Sequence, residues 1–208
     1  MTRHHPNAAS EGSHGDAPKD IGRVAYVDES EIRIGARRVY LLAATLVASC
    51  QRGEARAVMV SARGQATGKL HWHELGHASR ERHIKTVGAL SLNHVVVARN
   101  GEAHETSERA RHKTLVWLLG ELAERRIHHI VAEARQRKQN DRDLALFRGL
   151  RDAHQIDHRM RLDHVPGRDD PLLWIPDMVA GAHTVALRGD DQYTTALAGQ
   201  VDLLEGRD

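Results

Sequence analysis

The sequence predicts an α/β protein in which a mixed β-sheet begins with an N-terminal β-hairpin and is covered by helices. Three observations support this prediction. Two apolar runs of strand length stand near the start of the chain, three shorter apolar runs follow later, and segments with helical spacing of apolar residues lie between them. A hairpin followed by alternating helices and strands is typical of a mixed sheet with helices packed on it.

The chain is predicted to have a polar, disordered leader at residues 1–20 and a single domain at residues 21–208. Strands are predicted at residues 23–27 running into Asp28-Glu29-Ser30, and then at 39–48, 94–98, 127–132 and 160–165. The polar stretch 31–38 is expected to connect the two strands of the hairpin. Helices are predicted at residues 51–63, 79–91 and 106–126, from the N-cap Asn140 to Leu150, and from Asp170 to Leu187, with a weaker helix after it.

Helical spacing is clearest in segment 106–126, where four leucines share one face. The apolar residues that recur at helical spacing are Leu115, Leu118, Leu119 and Leu122 in this segment, Ile84, Val87 and Leu90 in the helix before it, and Leu144, Phe147 and Leu150 in the helix after it. Each helix is therefore expected to bury one face against the sheet.

Composition narrows the class of protein. A length of 208 residues with 40% hydrophobic residues fits one globular domain, and an aromatic content of 3% means that the core is built from Leu, Val, Ile and Ala. The net charge of +2 argues against a polybasic tail but allows a local basic patch. A single cysteine, Cys50, excludes an internal disulfide framework. No apolar run has the length of a membrane span or of a signal peptide, so a cytoplasmic protein without a membrane partner is expected.

Two acidic residues follow apolar strands. Asp28 follows the run Val24–Val27, and Glu133 follows Ile130–Ala132. If these strands are parallel neighbours, both carboxylates emerge at the carboxyl edge of the sheet, where α/β proteins place ligands. Strands often end in polar residues, so either acid alone would carry little weight, and the pair together indicates a site.

A third acid, Asp177, stands alone in an apolar helix. Between Pro171 and Leu187 the sequence is apolar all round the helix, and Asp177 is its only formal charge. A buried carboxylate without a partner is costly, so Asp177 needs an Arg, a Lys or a metal ion. A single buried salt bridge is the alternative explanation.

Acids on the first strand, on a later strand and on the closing helix are the arrangement with which ribonuclease-H-like folds hold two divalent ions. Carboxylate oxygens suit Mg²⁺ or Mn²⁺. Two such ions about 4 Å apart activate a water molecule and stabilise the leaving oxygen of a phosphodiester. We therefore expect a metal-dependent nuclease with a nucleic acid substrate, DNA or RNA.

Four sequence blocks resemble an uncharacterised bacterial family of ribonuclease-H-like proteins, domain-of-unknown-function family 3800. The blocks are Ala25-Tyr26-Val27-Asp28-Glu29-Ser30 with the following strand 40–47, Leu70-His71-Trp72-His73-Glu74, Val131-Ala132-Glu133-Ala134-Arg135 with Asp141, and Pro171-Leu172-Leu173-Trp174-Ile175-Pro176-Asp177. The similarity spans residues 22–188, and Glu31 stands where the family usually has glycine. The resemblance implies Asp28, Glu74, Glu133 and Asp177 as the catalytic and metal-binding set, with Glu74 completing the metal shell or orienting the attacking water.

A rival motif overlaps the second block. The sequence His73-Glu74-Leu75-Gly76-His77 fits the H-E-x-x-H pattern of zinc peptidases, with His83 at the spacing of a third ligand. The glycine that such sites place before the third ligand is Arg80 here. If the segment is helical, six residues turn the chain by about 240°, so His83 points away from His77. Despite these two departures from the pattern, a Zn²⁺ peptidase is the alternative function.

A basic cluster follows Glu133 and suggests contacts to phosphate groups. It consists of Arg135, Arg137, Lys138, Arg142, Arg148 and Arg151. Arg135, Lys138 and Arg142 are the predicted phosphate-binding residues, because a basic rim beside an acidic metal site would position a nucleic acid backbone. A solvated helix face is the simpler explanation. A catalytically inactive domain that binds nucleic acid or a protein partner is the third functional hypothesis.

Overall fold

A computed structural model describes residues 22–35, 37–102 and 104–207, so the predicted leader lies outside the described residues. The strands are β1 (Val24–Ile34), β2 (Arg37–Val47), β3 (Asn93–Gly101), β4 (His129–Glu133), β5 (Arg161–Val165) and β6 (Val201–Arg207). The α-helices are α1 (Arg52–Arg63), α2 (His77–Ala89), α3 (Ser107–Glu124), α4 (Arg137–Asp152) and α5 (Trp174–Ala186). Short 3₁₀ turns occur at Trp72–Glu74, Pro171–Leu173 and Thr194–Leu197.

The six described strands form one mixed sheet in the order β5-β4-β1-β2-β3-β6. Strands β1, β2 and β3 pair antiparallel, whereas β4 is parallel to β1 and β5 is parallel to β4. The predicted α/β fold with an N-terminal hairpin and a mixed sheet is thereby confirmed. Val27 pairs with Ala132, so the next residues, Asp28 and Glu133, emerge side by side at the carboxyl edge of two parallel neighbours.

Helices cover both faces of the sheet and divide the core into two layers. On one face, α5 packs across β1 and β2, and its residues Trp174, Met178 and Ala182 are fully buried at helical spacing. On the other face, α3 buries the predicted leucine stripe, including Leu118 and Leu122, against the sheet. Within the described part of the chain, no helix has the length and apolar character needed to cross a bilayer.

Three predicted elements differ from the structure. The polar stretch after Ser30 continues β1, because Ile32 pairs with Val39 and is buried, so the hairpin turn lies beyond Ile34. Strand β6 replaces part of the weak C-terminal helix. It was missed because it is a short edge strand whose residues, such as Asp202 and Leu203, are largely exposed and show no apolar alternation.

Asn140 is not the N-cap of its helix. Helix α4 begins at Arg137, and Gln136 and Gln139 form a reciprocal capping box at its start. The side chain of Asn140 instead accepts a hydrogen bond from the backbone N–H of Arg135 at 2.9 Å. The sequence rule favours Asn over Gln as a cap, and here the reciprocal pair of glutamines provides the cap, with the N-cap four residues earlier at Gln136.

Two buried histidines predict that stability falls in mild acid. Burial lowers the pKa of His94 and of His183 to about 4, with His183 adding to the effect at His94. A pKa lowered in the folded state stabilises the fold above the unfolded value of about 6.5, and the contribution is lost as the pH falls towards 4. As the pH falls from neutral to about 5, each histidine should lower the free energy of unfolding by about 2 kcal/mol.

Chemical unfolding at about pH 7.5 and about pH 5 tests this prediction. His183→Leu, which removes one titrating group from an apolar site, should lose about 2 kcal/mol less than the wild type over that interval. An equal loss in both proteins would show that His183 does not titrate as its burial implies.

Candidate active site

Three carboxylates from three separate elements surround the ammonium group of Lys69. The Nζ atom of Lys69 lies 2.8 Å from Oδ2 of Asp28 and 3.3 Å from Oδ2 of Asp177, and it also contacts Oε2 of Glu133. Asp28 lies on β1, Glu133 ends β4, and Asp177 lies in the first turn of α5. The structure therefore brings three of the four predicted acids together.

The fold explains why these acids meet. The parallel pairing of β1 with β4 aligns Asp28 with Glu133 on the sheet face that α5 covers. Helix α5 is buried almost throughout, which fixes its rotation, and its first turn brings Asp177 to Lys69 beside Asp28. The side chain of Asp177 retains only 14% exposure.

An extended segment after α1 delivers Lys69 to the acids. Leu70 and Trp72 are buried in the core, whereas Lys69 and His71 line the pocket, as expected where successive residues of an extended chain alternate sides. The backbone N–H of Trp72 donates to Oδ2 of Asp177 at 3.2 Å. Nδ1 of His71 lies 3.6 Å from the same oxygen, so this segment also orients Asp177.

The acids are not fully neutralised. Burial raises the pKa of Asp28 well above its usual value despite the nearby Lys69. Burial acts in the same direction on Asp177, but His71 and Lys69 outweigh it and lower the pKa of that carboxyl. Burial also opposes the charge of Lys69, but Asp28 and the other two acids raise the pKa of Lys69, so it stays protonated. Three carboxylates and one ammonium leave a formal charge of about −2.

Gly167 forms part of the wall of this site and was not among the predicted residues. A Cβ atom at this position would collide with Oε1 of Glu133 and would lie 2.7 Å from the Cδ atom of Lys69. The backbone carbonyl of Gly167 accepts a hydrogen bond from Nε1 of Trp174 at 2.6 Å, which fixes the loop against α5. The loop therefore cannot move away without breaking a buried contact.

Gly167→Ala is expected to displace Glu133 or Lys69 and to reduce any metal-dependent activity at this site at least about tenfold, because small misplacements at reacting groups are costly. Gly120→Ala is the matched control, since a Cβ at Gly120 on α3 meets no atom within 4 Å. Activity and thermal unfolding of both variants test the prediction. A Gly167→Ala protein as active as Gly120→Ala would show that the wall is not tight.

Two arginines form the opposite wall of the pocket. The pocket has a volume of about 250 Å³, and Arg111 and Arg135 line it together with Glu29 and the acids. Arg111 is buried and contacts both Glu29 and Asp143. Burial raises the pKa of Asp143, but hydrogen bonds from His164 and Arg111 hold it well below its usual range. Arg111 is a site residue that the sequence did not indicate.

Of the predicted phosphate-binding residues, only Arg135 faces this pocket. Its NH1 lies 2.8 Å from Oε1 of Glu108, and its NH2 lies 3.2 Å from Oδ1 of Asp143. Lys138 does not line the pocket, and Arg142 lines a separate hollow between α3 and α4. Lys138 lies in the first turn of α4 and is exposed, and NH1 of the exposed Arg142 lies 3.5 Å from Oε2 of Glu108. Fewer basic residues therefore line this pocket than the basic cluster in the sequence suggests.

The structure does not bring Glu74 to the other acids. It ends the 3₁₀ turn at Trp72–Glu74, its side chain is 63% exposed, and its ion-pair contact is with His73. Because Trp72 is anchored in the core, the following residues turn outward. The expectation that Glu74 completes the site is therefore not supported by its position, and Lys69 and His71 occupy that side of the pocket.

The zinc-peptidase motif does not form its helix. His73 lies in the 3₁₀ turn, Leu75 and Gly76 are extended, and α2 begins only at His77, so the two histidines do not stand one helical turn apart. Both ring nitrogens of His83 lie within hydrogen-bond distance of backbone carbonyls, those of Ser79 and Ala62. These placements contradict the geometry that a zinc peptidase requires.

No protein-family model matches this chain, and no curated protein matches it in sequence. The resemblance to the bacterial family named above consequently depends on the four motifs alone.

The donor set fits a divalent cation. Its members are hard carboxylate oxygens in a half-buried pocket, and Lys69 balances only part of their charge. Among the described residues, however, no group of three or more His, Cys, Asp or Glu side chains is arranged as a ready metal site. The ammonium of Lys69 lies between the three carboxylates, so a metal ion would have to share or take over this position.

Proposed function

We propose that this chain is a divalent-metal-dependent nuclease with a ribonuclease-H-like fold, which hydrolyses phosphodiester bonds in nucleic acid with Mg²⁺ or Mn²⁺. The observation that carries the proposal is the convergence of Asp28, Glu133 and Asp177 on one cation. A lone structural salt bridge needs one acid, whereas three acids around one lysine leave charge that a divalent ion would balance.

The sheet supports the fold in this proposal. Ribonuclease-H-like proteins are expected to have three antiparallel strands extended by two parallel strands, with the first strand in the centre. Strands β1 to β5 have this arrangement, and α5 adds the closing helix. Strand β6 is an addition at the far edge, next to β3 and distant from the acids.

In this proposal the acids hold the metal ions and the arginines hold the substrate. Bound divalent ions would supply an activated water and would stabilise the leaving oxygen. Asp28, Glu133 and Asp177 would hold these ions. Arg135 lines the same pocket and would contact a phosphate of the substrate, and Arg111 holds Glu29 in the pocket wall. His71 orients Asp177 from the pocket side.

One observation favours a catalytically inactive binding domain as the second candidate. Lys69 already neutralises part of the acid cluster and is held by all three carboxylates. A protein that had lost its metal could retain this arrangement as an internal ion-pair network.

Cleavage of labelled DNA and RNA oligonucleotides, with Mn²⁺ and with chelator, separates the two candidates. The nuclease requires cleavage that depends on Mn²⁺ in the wild type and is lost in Asp177→Asn. Absence of cleavage together with absence of Mn²⁺ binding would support the inactive domain.

A further inference from the structure

A second pocket lies at the opposite edge of the sheet from the acids, at the amino ends of β1, β4 and β5. It has a volume of about 400 Å³. The charged residues that line it are basic, and its arginines are Arg23, Arg52, Arg126, Arg159 and Arg161. They come from four separate parts of the chain, so the cluster is produced by the fold and was not visible as a run in the sequence.

Several of these arginines are fixed by neutral acceptors, which hold a guanidinium in place without cancelling its charge. Arg23 donates to the backbone carbonyl of Arg125 at 3.2 Å. Arg52 donates to the carbonyl of Gly22 at 2.5 Å. Such contacts position the side chains while leaving the pocket positive.

Among the described residues, Asp157 and Asp163 pair with side chains that line this pocket, and Asp157 also lies 3.4 Å from His128. Asp157 pairs with Arg159, and Asp163 pairs with His129, whose other ring nitrogen contacts Arg161 at 2.9 Å. In the portion of the chain that the structure covers, no carboxylate pairs with Arg23, Arg52, Arg126 or Arg161. The pocket therefore keeps a large excess of positive charge.

Arg126 lies in a backbone position that glycine can occupy without strain. It follows the C-cap of α3 with a left-handed φ of 56°, and its N–H donates to the carbonyl of Ala123 at 2.9 Å. The N–H of Ile127 donates to the carbonyl of Leu122 at 2.9 Å, which completes a Schellman motif. Glycine is the favoured residue at this position, so Arg126→Gly removes the side chain while keeping the backbone.

We propose that this basic pocket binds backbone phosphates of the nucleic acid whose cleavage is proposed above, at a distance from the scissile bond. The proposal thus deepens the proposed nuclease function and depends on it for the identity of the ligand. Arginine forks match phosphate oxygens and recognise them independently of base sequence.

The geometry favours a chain of phosphates over a single small anion. On β4, His129 lines the basic pocket and Glu133 lines the acid pocket. These residues are four apart, so they lie on the same face of the sheet, about 13 Å from each other along the strand. Val131, which lies between them, is buried in the core, so a nucleic acid strand would reach both pockets over the edge strand β5, where Arg161 is exposed, with one part held by arginines and another at the acids.

Binding of a fluorescein-labelled oligonucleotide in chelator tests the proposal without any cleavage. Arg126→Gly should raise the Kd about threefold to tenfold and should lower the slope of log K against log salt by about 0.7, the value for one lost contact to a single strand. Arg161→Ala should act in the same direction. Thermal stability of Arg126→Gly should equal or exceed that of the wild type, because glycine suits the left-handed position.

His154→Gly is the matched control. His154 occupies the same position after α4, with a φ of 55° and Schellman hydrogen bonds, but it does not line the basic pocket. This variant should bind the oligonucleotide as the wild type does. Equal affinity and equal salt slope in the wild type, Arg126→Gly and Arg161→Ala would overturn the proposal, as would a wild type that does not bind at low salt.

The two proposals fail in different ways. If the nuclease proposal alone is wrong, the wild type shows no Mn²⁺-dependent cleavage while the arginine variants still weaken binding in chelator. If the pocket proposal alone is wrong, cleavage is present and the arginine variants bind and cleave as the wild type does.

Discussion

Asp28→Asn is expected to reduce metal-dependent cleavage by about 1,000-fold or more while leaving the protein folded. Asp28 is the central member of the acid group, and an amide cannot supply the charge that a pair of divalent ions needs. Because burial already raises the pKa of Asp28, its charged form is unfavourable in the fold. The neutral variant should therefore melt within a few degrees of the wild type in chelator, or above it.

The control for this prediction is Glu74→Gln, which removes the fourth acid of the predicted catalytic set. Glu74 is exposed and does not line the pocket, so this variant should retain most of the activity. Initial rates on one oligonucleotide, measured with saturating Mn²⁺, compare the two. Full activity in Asp28→Asn, or equal loss in both variants, would contradict the assignment of the site.

Lys69→Met is expected to lower the free energy of unfolding in chelator by about 3–5 kcal/mol, because it leaves three buried carboxylates without their shared cation. The side chain of Lys69 is only 6% exposed, so methionine can occupy its volume. Mn²⁺ should restore much of the lost stability, since the metal would replace the missing positive charge. Chemical unfolding in chelator and in millimolar Mn²⁺ measures both effects.

Lys85→Met provides the comparison for that experiment. Lys85 forms an exposed ion pair with Glu81 on α2, which contributes little to stability and should not respond to Mn²⁺. If Lys69→Met were as stable as Lys85→Met in chelator, the acids would not depend on Lys69. If it were unstable and Mn²⁺ gave no recovery, the cluster would be a structural ion-pair network.

The acids could be predicted from the sequence because their positions follow from regular structure. Glu133 ends an apolar strand, and Asp28 follows the apolar part of β1 at the point where its parallel pairing with β4 ends, so both lie at one edge of that pair. Asp177 could be predicted because a single charge in an apolar helix requires a partner. These rules apply to strands and helices, which a sequence reveals through the periodic spacing of its apolar residues.

Lys69, Arg111 and Gly167 could not be predicted in the same way. Lys69 and Gly167 lie in irregular segments, where no period indicates which side chains face inward. Arg111 lies on α3 next to several other charged residues, and only its buried contacts with Glu29 and Asp143 set it apart. Glu74 was predicted from a motif match. Such a match fixes residue types but does not determine where a side chain points after a 3₁₀ turn.

The central claim is that Asp28, Glu133 and Asp177 form a divalent cation site, and thermal unfolding with increasing Mn²⁺ tests it most directly. At a Mn²⁺ concentration 100 times its Kd, the wild type should gain about 2.7 kcal/mol and several degrees in Tm. Asp177→Asn should respond less and should melt at least as high as the wild type in chelator. A wild-type Tm indifferent to Mn²⁺, with Asp177→Asn clearly less stable in chelator, would show that Asp177 serves a structural salt bridge to Lys69.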